Sequence, residues 1–294
     1  MIEKLKGTLL RLTKLFISIG FYVCSGAGNL ISSLMGKKAP GTCVAVHYHE
    51  VAPEHRKRFG RQMDILMRHA KPLAADYRQP LQPCQHHVVV TIDDGLLSSI
   101  ENAIPELVQR RIPVALFVLP GLLGTVPRWD EFDTDSIGKE IIATADRLRE
   151  LPRDLITIGS HTMTHPLLPS LSEDEAKFQL FASRAELEKL LNREITLFSF
   201  PYGEFSEPLI QLCREAGYQR VFTVLPIPAF TDSREFVTGR IAVNPTDWGL
   251  EFRLKILGAY RWLPAVFAWK RKLCGSPFHQ HPKVSESKIH TRTA

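Results

Sequence analysis

The stretch VVVTIDDG, residues 88–95, decides how the chain is read. Val88 to Ile92 are all β-branched, the composition of a strand with both faces buried. That strand then runs into two adjacent carboxylates, Asp93 and Asp94, and a glycine. A solvated turn explains this cheaply, because Asp-Gly is a common turn signal. A reactive site at the end of a buried strand explains it as well, since ligands in α/β folds gather at the C-terminal ends of strands.

Outward from this stretch, strand and helix patterns alternate. VAVHY (44–48), PVALFVL (113–119), LITIGS (155–160), TLFSF (196–200), YQRVFTVL (218–225) and FVTGRIAV (236–243) read as further strands. Between them, SIENAIPELVQRR (99–111) and SEPLIQLCREAG (206–217) read as helices, and Ser172 with Glu175 forms a capping box for a helix reaching about Leu191. Strands separated by helices predict parallel βαβ units, hence an α/β barrel or doubly wound sheet. The sequence has no internal repeat, no GxGxxG and no GxxxxGK[ST], so neither a dinucleotide nor a nucleoside triphosphate site is expected.

Several strand ends carry unusual residues: His47 and His49, Asp93 and Asp94, His161 and His165, and Pro201-Tyr202-Gly203. The i, i+4 spacing of His161 and His165 lets two imidazoles meet one ion, and a carboxylate from another strand would complete a two-His, one-Asp site. HTMTH lacks the glutamate that supplies the base within HExxH. Two adjacent aspartates can provide both missing parts, one as a ligand and one free to take a proton from attacking water.

These motifs resemble the NodB-like polysaccharide deacetylases, carbohydrate esterase family four. Thr91-Ile92-Asp93-Asp94-Gly95 matches the family's T-[FI]-D-D-G and His161-Thr162-Met163-Thr164-His165 its H-[ST]-x-x-H, over roughly residues 43–245. The resemblance implies a distorted (β/α) barrel in which Asp94, His161 and His165 bind a divalent metal, with zinc as the expected ion, and Asp93 is the general base. In the third motif, R-x-P-[YFW], Ser199 stands at the Arg position that orients the base in relatives, while Pro201 and Tyr202 are kept. The Tyr202 backbone N–H is then the expected oxyanion donor. No late L-x-H motif lies between Arg240 and Trp248. Tyr48-His49-Glu50-Val51 instead resembles the YHxV element of a circularly permuted subgroup, which makes His49 the expected general acid. His47, read as lying on the opposite face of its strand, is assigned a structural role. Asp247-Trp248 follows the last strand and is left outside the site.

The chain has 294 residues, 44% hydrophobic and 23% charged, with a formal charge of +6 and a pI near 9.1. These values suit a globular chain attracted to anionic surfaces. Its five cysteines are odd in number and never paired as CxxC, which predicts neither a disulfide framework nor a zinc ribbon and favours a reducing compartment.

The two ends have a different character. Lys4, Lys6, Arg11 and Lys14 precede an uncharged run from Leu15 to Gly36, diluted by serine and glycine. A cleaved signal, a signal anchor and an interfacial helix all fit, and a membrane-surface or anchor role is favoured. From Leu250 to Leu273, aromatic residues mix with Arg253, Lys255, Arg261, Lys270, Arg271 and Lys272, as on an anionic interface or on a core helix with a basic outer face. The expected organisation is an apolar anchor or interfacial helix at 1–38, a deacetylase barrel at 43–248, a basic amphipathic segment at 249–274 and a disordered tail at 275–294.

The expected function is metal-dependent removal of N-acetyl groups from a surface polysaccharide or lipid-linked sugar, at the cytoplasmic face of an inner membrane; export or a signal anchor is the alternative placement. The competing functions are hydrolysis of another amide on the same scaffold and a catalytically silent envelope-assembly protein at the membrane. Nucleic acid is not expected as a partner, because the basic residues concentrate in the apolar ends.

Overall fold

The computed structural model describes residues 2–34, 36, 38–127 and 140–266. A long helix, α1 (Ile2–Leu34), precedes the sheet. Then follow β1 (Thr42–Tyr48), α2 (Arg56–His69), β2 (Lys71–Pro72), β3 (His86–Ile92), α3 (Leu97–Gln109), β4 (Val114–Val118), α4 (Ala145–Arg149) and β5 (Ile156–Ser160). The second half contains α5 (Glu173–Leu191), β6 (Leu197–Ser199), α6 (Glu207–Glu215), β7 (Arg220–Phe222), β8 (Val237–Thr238), β9 (Arg240–Ala242) and α7 (Gly249–Ile256).

All strand pairings are parallel, in the order β8-β7-β6-β5-β4-β3-β1-β9, with the short β2 set beside β3. β8 and β9 are one stretch of chain bent at Gly239. The first half pairs with β7 (Phe222 opposite Thr238) and the second with β1 (Ala45 opposite Arg240), so the sheet closes on itself. This is a distorted (β/α) barrel, one of the two arrangements that the strand and helix alternation allows and the one that the resemblance implies.

Period-two alternation separates its two cores. Val46, Tyr48, Val88, Val90, Ile92, Leu116, Val118, Ile158 and Phe198 belong to the larger cluster, packed with the helices. Ala45, Val89, Ala115, Phe117, Leu197 and Phe222 form a second cluster, on the alternate residues that face the barrel interior. The interior is narrow. A Cβ on Gly159 would lie 2.5 Å from the Phe117 ring, so glycine in the middle of β5 is what lets that ring fill the barrel.

The capping box of α5 is present in both directions, Glu175 N–H to Ser172 Oγ and Ser172 N–H to the Glu175 carboxylate. The segment after β9 departs from a lipid-facing reading: Phe252, Leu254, Ile256, Leu257, Ala259, Tyr260 and Leu263 are buried in the larger core. Its basic residues 270–272 and the tail 275–294 lie outside the described residues.

Candidate active site

The strand read as running into two carboxylates ends in a tight left-handed turn. Asp94 and Gly95 have φ of 68° and 70°, and the Gly95 N–H donates to the Asp93 carbonyl at 2.9 Å. The turn is present but it is not a solvated one: Asp93 and Asp94 are both buried, and the turn presents the two neighbouring carboxylates in different directions. Thr162, His165 and Tyr202 also have positive φ (73°, 64° and 58°). Such backbone costs about 1–3 kcal/mol per residue and clusters where geometry serves function.

Asp93 points into the barrel and meets Arg240 of β9. Arg240 Nη1 and Nη2 donate to its two oxygens at 2.7 and 2.8 Å, a bidentate pair with Arg240 fully buried. The same guanidinium donates to Thr91 Oγ1 (2.9 Å), Ser199 Oγ (2.7 Å) and the Thr223 carbonyl (3.1 Å), and sits between the rings of Phe117 and Phe222. Burial pushes the Asp93 carboxyl up, but Arg240 with its hydrogen bonds, together with His161, outweighs it and holds Asp93 well below the usual carboxylate range. The residue that holds Asp93 is thus Arg240, which the sequence reading passed over; Ser199, at the motif's Arg position, makes room for it and binds it.

Asp94 turns the other way. Its Oδ1 lies 3.5 Å from His161 Nε2 and 3.6 Å from His165 Nε2, and no hydrogen bond reaches this oxygen. His161 Nδ1 is 2.7 Å from the Ser199 carbonyl. A carbonyl only accepts, so Nδ1 carries a proton, and Nε2 is the nitrogen that faces Asp94. Burial, then His161, push His165 down to about 2, leaving a neutral imidazole, the form that ligates metals. Two ring nitrogens and a carboxylate oxygen, converging in a buried space, fit a divalent cation. The Ser199 carbonyl orients one ligand as an outer-shell acceptor does in metal sites.

His49, just beyond β1, is exposed, and its backbone carbonyl is held by Ser99 Oγ. Its ring and that of His47 are 5.3 Å apart, and one nitrogen of each falls within 4.8 Å of an Asp93 oxygen. His47 is not on the opposite face. Residues i and i+2 of a strand share a face, so His47 projects into the barrel below His49, buried, with Nδ1 3.9 Å from Asp93 Oδ2. Burial and the Arg240 charge push its pKa well below the ordinary imidazole value. Tyr202 lies in a single turn, Pro201–Gly203, with its ring 4.6 Å from that of His165 and half exposed at the mouth of the site. The predicted residues thus meet at one pole of the barrel.

The sequence model of the polysaccharide deacetylases matches residues 81–221, the segment from just before β3 into β7 that carries both aspartates, His161, His165 and Tyr202. Over this segment the chain is similar to the polysaccharide deacetylase family. Among curated relatives of this chain, the putative polysaccharide deacetylase YxkH of Bacillus subtilis is 25% identical over 182 residues, 62% of this chain and 58% of that protein. The chitooligosaccharide deacetylase of Azorhizobium caulinodans is 24% identical over 158 residues, 53% of this chain and 64% of that protein. The alignments thus span less than two thirds of the relatives' own length. In fold, the chain resembles IcaB from Ammonifex degensii (TM-score 0.61, 23% identity, covering 76% of this chain and all of that one). It also resembles the Streptococcus pyogenes deacetylase PplD in complex with acetate (TM-score 0.58, 18% identity, 75% and 98%).

Proposed function

We propose that this chain is a polysaccharide deacetylase that hydrolyses the N-acetyl group of a glycan, with Asp94, His161 and His165 holding a divalent ion, zinc by ligand type. The observation that carries the proposal is the pairing of adjacent aspartates. Asp94 offers an unpartnered oxygen to two imidazole nitrogens, and Asp93 is locked, ionised, by Arg240. An ion held at Asp94 supplies Lewis-acid polarisation of the acetyl carbonyl and acidifies water.

The remaining steps belong to the chain. Asp93, anionic and aligned by Arg240, takes a proton from the water that attacks the acetyl carbon. The Tyr202 N–H donates to the developing oxyanion. As the C–N bond breaks, His49 gives its proton to the departing nitrogen, and the products are acetate and a free amine. The order of elements supports the circularly permuted reading: β1, with His49 at its end, precedes the strand of the aspartates yet lies beside it in the sheet. The barrel assigned to 43–248 extends on this reading through α7, whose buried side completes the core.

The Azorhizobium relative's name supports an acetamido-sugar oligomer as the substrate class. The membrane-associated placement, at the cytoplasmic face of an inner membrane, rests on α1 and favours a lipid-linked or nascent surface glycan. Acetate release from N-acetylglucosamine oligomers and N-acetylated glycolipids, with and without chelator, tests the reading. Release that stops with chelator and returns with zinc supports it; release unchanged by chelator, or by Asp93→Asn, overturns it.

A further inference from the structure

By length and composition Gly7–Gly26 of α1 could cross a bilayer. Its docking points elsewhere. Arg11 Nε donates to the Glu251 carboxylate at 2.7 Å, Arg11 Nη2 donates to the Thr246 carbonyl at 3.0 Å, and the guanidinium stacks over the Trp248 ring. One turn further, Leu15 is buried, and Ser18, fully buried, accepts from Trp262 Nε1 at 2.9 Å. Beyond it, Tyr22 and Ser25 line a cleft of about 300 Å³ together with Thr42, His86 and Arg261. Thr246 follows β9, at the site end of the barrel, whereas Thr42 and His86 begin β1 and β3. α1 therefore runs down the barrel's flank, antiparallel to the strands.

At 100° per residue, the docked positions 11, 15, 18, 22 and 25 share one side of the helix. The opposite arc, about 140° wide, is made of Leu9, Leu10, Thr13, Phe16, Ile17, Gly20, Val23 and Cys24 and bears no charge. Its large members are exposed, Leu9 by 66%, Phe16 by 71% and Val23 by 63%. No Asp or Glu occurs between Lys4 and Gly36, and the charges nearest this arc, Lys6 one turn before Leu10, Lys14 and the exposed Arg261, are cations.

We infer that α1 is an interfacial helix that stays docked on the barrel and lays this uncharged arc into an anionic bilayer surface. This deepens, and rests on, the membrane-associated reading above. A spanning α1 would have to break the Arg11 ion pair and the Ser18 hydrogen bond and re-expose the side they cover, because docked residues 11–25 occupy about 22 Å of helix against a ~30 Å hydrocarbon core. An in-plane α1 keeps every contact. It lays the barrel on its side, so that the mouth of the site opens along the headgroup layer.

The full chain is mixed with vesicles of phosphatidylcholine alone or with phosphatidylglycerol and sedimented. Binding to the mixed vesicles is expected, at least roughly tenfold weaker for Leu9→Gln/Phe16→Gln/Val23→Gln and weakened by Lys14→Glu, with unchanged melting temperatures. In a Cys84→Ser/Cys274→Ser background, a fluorophore on Cys24, which is exposed within the arc, reads depth. Stronger quenching by spin labels near the headgroups than at mid-chain is expected. Stronger mid-chain quenching, absence of vesicle binding, or a stable dimer that the triple variant dissolves would each overturn the inference. None of these readouts uses acetate release, so failure of the hydrolase reading leaves them intact.

Discussion

Arg240 crosses the barrel interior to hold both carboxylate oxygens of Asp93, although 147 residues separate them in the chain. The same guanidinium binds Ser199 Oγ, and the Ser199 carbonyl in turn accepts from His161, so a single serine links the Asp93–Arg240 pair to His161. Removing one partner of a buried pair leaves an uncompensated charge, at about 3–5 kcal/mol. Arg240→Met should lower stability by that amount and abolish acetate release. Arg240→Lys should keep the charge, lose the bidentate geometry and retain partial activity. Thermal melts alongside turnover check both.

Asp94 carries an opposing prediction. Burial raises its pKa in the metal-free protein, more than His49 and His161 lower it. A carboxyl with a raised folded pKa holds a proton that the unfolded chain releases, so stability falls as pH rises from about 4, the unfolded value, to the folded one. Asp94→Asn removes this burden, and asparagine tolerates the left-handed backbone of position 94. The variant should melt higher than wild type in chelator at pH 7 and gain nothing from zinc, whereas wild type gains.

His47 has two buried ring nitrogens without a hydrogen-bond partner among the described residues. Burying a polar group in that way costs about 1–3 kcal/mol. His47→Leu should therefore leave stability unchanged or raise it by about 1 kcal/mol, with zinc affinity unaltered. Calorimetry and zinc titration check the two halves; a loss of zinc binding would show that His47 supports the metal group.

Gly159→Ala adds a methyl group against the Phe117 ring, which packs beside Arg240. Overpacking of this kind costs about 1–3 kcal/mol. Because the ring can yield only toward the guanidinium or its neighbours, turnover should fall together with melting temperature. Phe117→Leu in the same chain should restore part of both.

Strand patterns were legible because parallel strands are buried on both faces and read as apolar runs. The two deacetylase motifs were legible because their residues are contiguous. Arg240 was not, since a lone arginine in FVTGRIAV is explained only by partners 41 and 147 residues away. The single charge within an otherwise buried strand was the available signal. α2 went unread although Phe59, Met63 and Leu66 share one buried face, because Arg56, Lys57, Arg58 and Arg61 crowd its first turns. The aromatic residues after β9 fitted a lipid surface and a core helix alike, and the structure takes the second for Phe252 and Tyr260, a choice that composition alone does not encode.

The strand that seals the ring is also the strand that delivers Arg240. A chain emerging from synthesis possesses Asp93, Asp94, His161 and His165 well before residue 240 exists, so Asp93 is without its Arg240 partner until the last strand is made. Alignment of Asp93 therefore arrives last, with closure of the ring by β9.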